Sequence, residues 1–577
     1  MSKFLSFRRN ARPPSADNQV QSDDNLSASG LTDIKHINAH ALDETSTLEN
    51  EGGAAVEIIS PLGRNLGWTS AFFINVNQII GTGIFATPAT IFKALGSVGL
   101  TFIYWIIGIV VTLAGVAVYM ELTSLFPNRA GAEVVYLEQA FKKPRYLLPA
   151  SFAAYIILLS YNTSNLLVFA EYVLYAHGVD TPGRWQLRGI GIGLYTVLTI
   201  IIALSTKWSV RLGNVLGSLK SILLIFIIIT GFAVLGGHTK VADPHAAFRN
   251  PMQGTTTGGN GLATALVSII FSFGGSTNSF NLAPEIKDPI KTLKTSAPAA
   301  TLFTGIMYIL CNVAYFSAVP LDTFRTSGQL IAAVFFESVY GEFAGRTVLP
   351  VFVALSSLGN ILSVMIGETR IIREIARQGV LPYPKFFSST KPFGTPAAPL
   401  IITYVTTLIV TLAPPPGDAF NFLVDLNSYP KAVFALATVA AVYILRRRNK
   451  VEGRPKAPYR AWHLALVIAI LQNVFVLAMP WWPPKTGRDG GDVSFWYATY
   501  CVVGIGILVL CVVYWYIWTH LLPNWRGYHL EERTFVLDDG AVTKTLVKIW
   551  HGRDDLKQEV EGGDSHDEKQ SQEDGDI

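Results

Sequence analysis

Long apolar runs separated by short polar loops dominate this chain from Trp68 onward. Runs long enough to cross a hydrocarbon core of roughly 30 Å number about twelve. They are Trp68–Ala94, Leu100–Phe126, Pro149–Tyr175, Gly189–Ser205, Leu212–Gly236, Ala263–Ala283, Ala299–Ala318, Leu349–Ala376, Ala398–Ala413, Ala419–Leu445, Trp462–Trp481 and Phe495–His520. Each is predicted to be a membrane helix, which makes the fold class an all-α integral membrane protein. The flanks read differently. The first sixty or so residues are rich in Ser, Asn, Asp and Glu with no apolar core, and the last forty end in "EGGDSHDEKQSQEDGDI"; both read as solvated, disordered tails, with no secretory signal. The expected organisation is a tail over 1–66, a core of ten spans over 67–445, a basic loop over 446–461, two further spans over 462–520 and a second tail over 521–577.

Two of the runs are interrupted. The first contains "NQIIGTGIFATP", and the sixth "FSFGGSTNSFNLAPEIKDP", where Gly274, Gly275 and a Ser-Thr-Asn-Ser stretch replace the apolar pattern. Gly81, Gly83 and Ala86 fit a G-x-G-x-x-G/A nucleotide fingerprint, but that loop needs a preceding strand and an acid about twenty residues on. Here no acid occurs before Glu121, and the nucleotide reading fails. Spans one and six hold matching positions in two five-helix halves, and paired interrupted spans of this kind mark an inverted-repeat transporter with a substrate site near the midplane.

Backbone left unwound in hydrocarbon survives only where it is buried in protein or lines a polar cavity. Unwinding exposes what a zwitterion needs. The amides of Thr82, Gly83 and Ile84 open a half-helix whose positive dipole end suits a carboxylate, and carbonyls near Ile79, Phe271 and Gly274 would accept an ammonium. Gly81 and Gly275 allow close backbone approach; packing of small residues between helices is the competing reading of these glycines.

Composition agrees with the pattern: of 577 residues 50% are hydrophobic and 15% charged, with a mean hydropathy of +0.36, too apolar for a soluble chain of this size. The net charge of +4 implies no nucleic-acid partner, because the basic residues are spread over short loops. They fall mostly on one side: Arg129, Lys142, Lys143, Arg145, Lys207, Arg211, Lys287, Lys291, Lys294, Arg370, Arg373, Arg377, Lys385, Lys391 and the run "RRRNKVEGRPKAPYR". The positive-inside bias places both termini in the cytoplasm, and the sequons at Asn25 and Asn162 would then meet no glycosylating lumen. Cys311, Cys501 and Cys511 all lie in apolar runs, with no disulfide or metal pattern.

Lys220 sits about eight residues into span five, roughly 12 Å along the helix, where an ammonium must face the protein interior or a cavity. Two readings stay open: a titrating group, since burial favours a neutral amine, or a charged peg on carbonyls around Ile79 and Ile80. Glu121 and Glu285, at the inner ends of spans two and six, are placed to form gating ion pairs or to be satisfied at the interface. Glu171, Asp425 and Lys431 are expected at the outer rim. Tyr161, Asn162 and Thr163 in span three, with Ser356, Ser357, Asn360 and Ser363 in span eight, would bond across helices or line the cavity.

"IIGTGIFATP", "FPNRAGAEVVYLEQAF", "FSFGGSTNSFNLAPEIKDP" and "FVALSSLGNILSVMIGETRIIREIARQGVLP" resemble the L-type amino acid transporters of the amino acid–polyamine–organocation superfamily, and within that group the fungal methionine permeases. The likeness covers about Gly67 to Arg460. It implies a five-plus-five inverted repeat with helices one and six broken, and two extra helices. By position Thr82 and Gly83 would bind the substrate carboxylate, Ile79, Phe271 and Gly274 would offer carbonyls to the amine, and Phe271 would also close over the substrate as a gate. Ser276 stands where many relatives have tryptophan, which leaves side-chain selectivity open. Lys220 would occupy the place of a sodium ion and couple transport to a proton.

The resemblance implies a plasma-membrane permease importing a neutral L-amino acid, methionine foremost, by proton symport, with an exchanger or broader amine permease as the alternative and a non-transporting nutrient sensor as the reading from another class. No enzyme chemistry and no cofactor beyond the proton are expected. Animal L-type transporters hold a glycoprotein subunit through a cysteine between spans three and four; "AHGVDTPGRWQLRG" has none, so no disulfide-linked heavy chain is expected. The acidic run Asp43, Glu44, Glu49 and Glu51 resembles tail segments that mark fungal permeases for endocytosis, which makes a ubiquitin-ligase adaptor the expected partner there, against a plain solvating tail.

Overall fold

The computed structural model describes residues 64 and 66–550, apart from 180, 240, 257, 391–393, 414–415, 484–495 and 537–541. The described residues all belong to one compact unit; the expectations for residues 1–63 and 551–577, including the acidic run and Asn25, lie outside the described residues.

The first apolar run is not one helix. It divides into α1 (Trp68–Ile79), α2 (Gly83–Ala86) and α3 (Pro88–Leu95). Long helices follow as α4 (Val98–Leu125), the short α5 (Glu133–Ala140), α6 (Leu147–Leu159), α7 (Thr163–Ala176), α8 (Arg184–Leu204) and α9 (Thr206–Leu235). The sixth run gives α10 (Gly259–Ser272), a turn, and a 3-10 segment Asn278–Glu285. Beyond it lie α11 (Pro289–Ala318), α12 (Ile331–Tyr340), α13 (Leu349–Arg377), α14 (Ala397–Leu412), α15 (Pro416–Val451), α16 (His463–Ala478) and α17 (Thr499–Tyr516).

Nine helical stretches among the described residues are long and apolar enough to cross a membrane. Three of the twelve expected runs are not among them: the two glycine-interrupted ones, whose pieces are individually too short, and the run at α14, which has 16 residues. Side chains such as Ile222, Ile229 and Phe232 on α9 face outward, as lipid-facing residues do.

Two expectations need correction. The third run, drawn as continuous, is broken between α6 and α7 at Ser160–Asn162. The break is tolerated because α14 and α15 supply partners: Asn162 N donates to Thr407 Oγ1 at 3.3 Å, the Tyr161 hydroxyl donates to the Leu423 carbonyl at 3.1 Å, and Thr163 and Thr411 hydroxyls lie 3.0 Å apart. The polar groups of this run thus bond across helices. Second, the last forty residues are not uniformly unstructured. Val542–Trp550 (β2) pairs antiparallel with Tyr528–Val536 (β1), in a sequence rich in β-branched and aromatic residues on either side of Asp538-Asp539-Gly540, which is a hairpin composition.

Candidate functional site

The two glycine-marked breaks meet. Gly83 lies so close to α10 that a β-carbon there would stand 2.7 Å from Ser272 Cα, so only glycine fits the contact. Thr87 Oγ1 lies 2.9 Å from Ser272 Oγ. The Tyr308 hydroxyl on α11 donates to the Ile79 carbonyl at 2.6 Å and approaches the Ser272 carbonyl at 3.2 Å, so one phenol joins both breaks. Further along, Asn75 Oδ1 accepts from Ser279 N at 2.9 Å, and Leu66 pairs with the backbone of Glu285 and Lys287 at 3.0 and 2.8 Å. The two interrupted segments are therefore tied together from end to end.

Local sequence explains the break in the first segment. The Gly81 amide turns back to the Ile79 carbonyl at 2.8 Å, and helix resumes with Phe85 N and Ala86 N donating to the Thr82 carbonyl at 3.1 and 2.9 Å. Among the described residues nothing accepts from the amides of Thr82, Gly83 or Ile84, which leaves three successive donors at the start of a helix, as expected of an anion-binding end. The carbonyl side differs from expectation in part. The Ile79 carbonyl already accepts from Gly81 and Tyr308, and the Phe271 carbonyl accepts from Gly274 N at 2.9 Å. Phe271, expected to close over the substrate, stands just before the break. It lies within α10, half-buried against the core, and the helix ends at Ser272. Gly275 takes φ +98 and packs on the Gln78 side chain, and Ser276 is buried.

A polar relay steadies the first break from the other side. Thr82 Oγ1 donates to Asn165 Oδ1 at 3.0 Å, Asn165 Nδ2 to Asn360 Oδ1 at 3.1 Å, and Asn360 Nδ2 to the Gln78 carbonyl. Lys220 completes the frame. It is 2% exposed, and its ammonium donates to the carbonyls of Asn77 and Ile80 at 2.8 and 2.7 Å. Its stem passes over Gly359, where a β-carbon would meet Lys220 Cε at 2.8 Å. This is the peg geometry: Ile80 is one of the two carbonyls foreseen, and Asn77 takes the place of Ile79.

Glu121 and Glu285 stand apart from this centre. Arg446 donates to both Glu121 oxygens at 2.7 and 2.6 Å, and Ala461 N adds a third bond at 2.8 Å. Arg370 Nε reaches Glu285 at 3.2 Å. Asp425 and Lys431 are not rim charges: Asp425 is buried, and Lys431, well inside the 36-residue α15, interacts electrostatically with Glu133. Tyr308, Ser272, Asn165 and Gln78 went unread in the sequence. Asn165 is a polar residue in an apolar run and carried a usable signal, whereas Tyr308 is one of 22 tyrosines in an otherwise ordinary helix.

Nine membrane-length helical stretches among the described residues, together with two touching breaks, are the pattern of a multi-pass membrane transporter. The chain belongs to the amino acid permease family, whose model matches residues 66–508. It is 36% identical to the high-affinity methionine permease of Saccharomyces cerevisiae over 84% of each chain, and 28% identical to the low-affinity methionine permease of the same yeast over 88% of this chain and 91% of that one. The b(0,+)-type amino acid transporter 1 of Mus musculus is 28% identical over 82% of this chain and 92% of its own. These relatives are permeases and transporters, and this protein is a transporter rather than an enzyme.

Proposed function

We propose that this permease imports a neutral L-amino acid, L-methionine foremost, across the plasma membrane by alternating access coupled to a proton. The observation that carries the reading is the meeting of the two breaks, with Gly83 against Ser272 and Tyr308 bonded to both. In this reading twelve spans form a five-plus-five inverted repeat and two added helices, with both termini cytoplasmic. The free amides of Thr82, Gly83 and Ile84 hold the substrate carboxylate, and Gly81 keeps the approach open. The ammonium is taken by the carbonyls of Gly274 and Phe271, with Ile79 contributing once Tyr308 lets go. Ser276 and Gly275 border the substrate side chain, and Phe271 closes over it. Glu121 and Glu285 act through their ion pairs as inner gates. Lys220 supplies, as a fixed cation, the charge that holds the first break. The buried cysteines support a protein without a disulfide-linked subunit, and methionine permeases among the relatives support the substrate. An adaptor of a ubiquitin ligase is the proposed partner of the N-terminal acidic run.

Uptake of labelled L-methionine into liposomes holding the purified chain, with and without an inward proton gradient, tests this. Accumulation driven by the gradient and lost in Lys220→Ala is expected. Movement only against trapped unlabelled amino acid would make the protein an exchanger, and binding with no movement would make it a sensor.

A further inference from the structure

Outside the two breaks, one group of ionisable side chains has no place in substrate binding. Glu133 opens α5 and is held from several sides. The Tyr119 hydroxyl on α4 donates to Glu133 Oε1. Lys431 on α15 interacts with it electrostatically. Tyr136 of its own helix and Tyr155 of α6 lie within its field. From α13, Glu368 acts on the same Tyr155, and Glu374 packs against Gly131, two residues before Glu133. Ionised together, Glu133, Glu368 and Lys431 would leave a net negative charge in the interior, which one bound proton removes.

Two features connect this cluster to the moving parts. Gly131 N donates to the Asn281 carbonyl at 3.4 Å, and the Tyr119 ring packs on Phe280 at 5.9 Å. Asn281 and Phe280 both belong to the 3-10 segment of the interrupted sixth run, so the turn that leads into Glu133 is bonded to that segment, and the Tyr119 ring that bonds Glu133 packs on it. The lead-in is also strained: Ala132, immediately before Glu133, has φ +39, a left-handed value unusual for a residue with a side chain. Lys431, which interacts electrostatically with Glu133, is itself exposed, so the cluster has a solvent-accessible member. Lys220 has no comparable access, being 2% exposed and clamped by two carbonyls.

We infer that Glu133 is the group that binds the transported proton, with Tyr119 and Lys431 setting its affinity and Phe280 and Asn281 transmitting its state to the broken sixth helix. This rests on the permease reading above and names its coupling site. The step is a proton transfer alone. An O–H bond forms at a Glu133 carboxylate oxygen as a proton leaves water, and it breaks as the proton returns to water; no electrons move. Protonation removes the charge that the Tyr119 hydroxyl serves, which loosens Tyr119 over Phe280. Burial lifts the Glu133 carboxyl above its ordinary value, while Tyr119 and Lys431 pull it back down, which brings it toward the range where a proton can be both taken and released.

The test uses the full chain in liposomes with labelled L-methionine and an entrapped pH dye. Glu133→Gln is expected to lose at least tenfold of gradient-driven accumulation and the substrate-driven pH change, with exchange against trapped methionine reduced less than threefold. Tyr119→Phe keeps the ring but removes the donor to the carboxylate. It should raise the Glu133 pKa and move the pH midpoint of accumulation upward by about one unit; Lys431→Met should move it in the same direction. Glu133→Gln that accumulates like the parent overturns the proposal. So does equal loss of exchange and accumulation combined with an unmoved midpoint in Tyr119→Phe, since that pattern belongs to a structural residue. An unaltered chain that moves no methionine in any arm overturns the permease reading itself, and one that moves methionine without regard to the gradient overturns only coupling.

Discussion

A methyl group added at Gly83 would have to enter space already held by Ser272 Cα and Oγ, at 2.7 and 2.8 Å. The backbone side of that contact cannot yield, so Gly83→Ala is expected to push α2 and α10 apart and reduce methionine uptake at least tenfold, while Ser272→Ala, which removes only a hydroxyl, should cost much less. Paired uptake assays on the two variants decide whether contact distance or the hydroxyl matters. Tyr308 makes a different prediction. Its hydroxyl serves carbonyls on both breaks at 2.6 and 3.2 Å, and Tyr308→Phe takes a donor from the Ser272 carbonyl and one of two from the Ile79 carbonyl, which keeps Gly81 N, at a cost of about 1–3 kcal/mol. A lower melting temperature of the detergent-solubilised protein, with a larger loss of transport than of expression, is the expected result; an unchanged melting temperature would show that the carbonyls find other donors.

Among elements, the join between α4 and α15 is the one most exposed to a single charge change. Glu121 is buried and Arg446 nearly so, and their bond is bidentate. Removing one partner of a buried pair strands the other charge at a cost of about 3–5 kcal/mol, whereas removing both is far milder. Glu121→Gln is therefore expected to lower thermal stability sharply, and Glu121→Gln with Arg446→Met to recover most of it, read by thermal unfolding in detergent. The elements also show what sequence patterning could and could not reveal. The first and sixth interruptions were legible because glycine pairs and a polar run stand out in apolar surroundings. The break at Ser160–Asn162 was not, because its backbone groups are satisfied by Thr407 on a helix more than two hundred residues away. Lys431 lay inside the run Ala419–Leu445 yet was assigned to its outer rim; the helix begins at Pro416 and continues through Pro430, which sets Lys431 well inside it. Lys220 and its acceptor Ile80 were legible, since a lone lysine among apolar residues has few ways to be satisfied, but only coordinates could select Asn77 over Ile79 as the second acceptor.

For the molecule as a whole, the asymmetric distribution of Lys and Arg in the loops makes a sharp claim about sidedness, and the protein is well suited to testing it. Its three cysteines are all buried, so a membrane-impermeant maleimide should find little background. Gln186 and Glu452 are both exposed and are assigned to opposite sides, Gln186 in the first turn of α8 and Glu452 in the basic loop after α15. With charge bias setting orientation, Gln186→Cys should label on intact cells, and Glu452→Cys only after the membrane is opened. The same pair bears on transport direction, because the Glu121–Arg446 pair and the Glu452 loop then share the cytoplasmic side, where a gate must stay shut while the free amides at Thr82–Ile84 face the outside. The reverse labelling pattern would turn the whole assembly over. Import driven by an inward proton gradient would then have to become export, and Glu121 and Glu285 would be outer rather than inner gates.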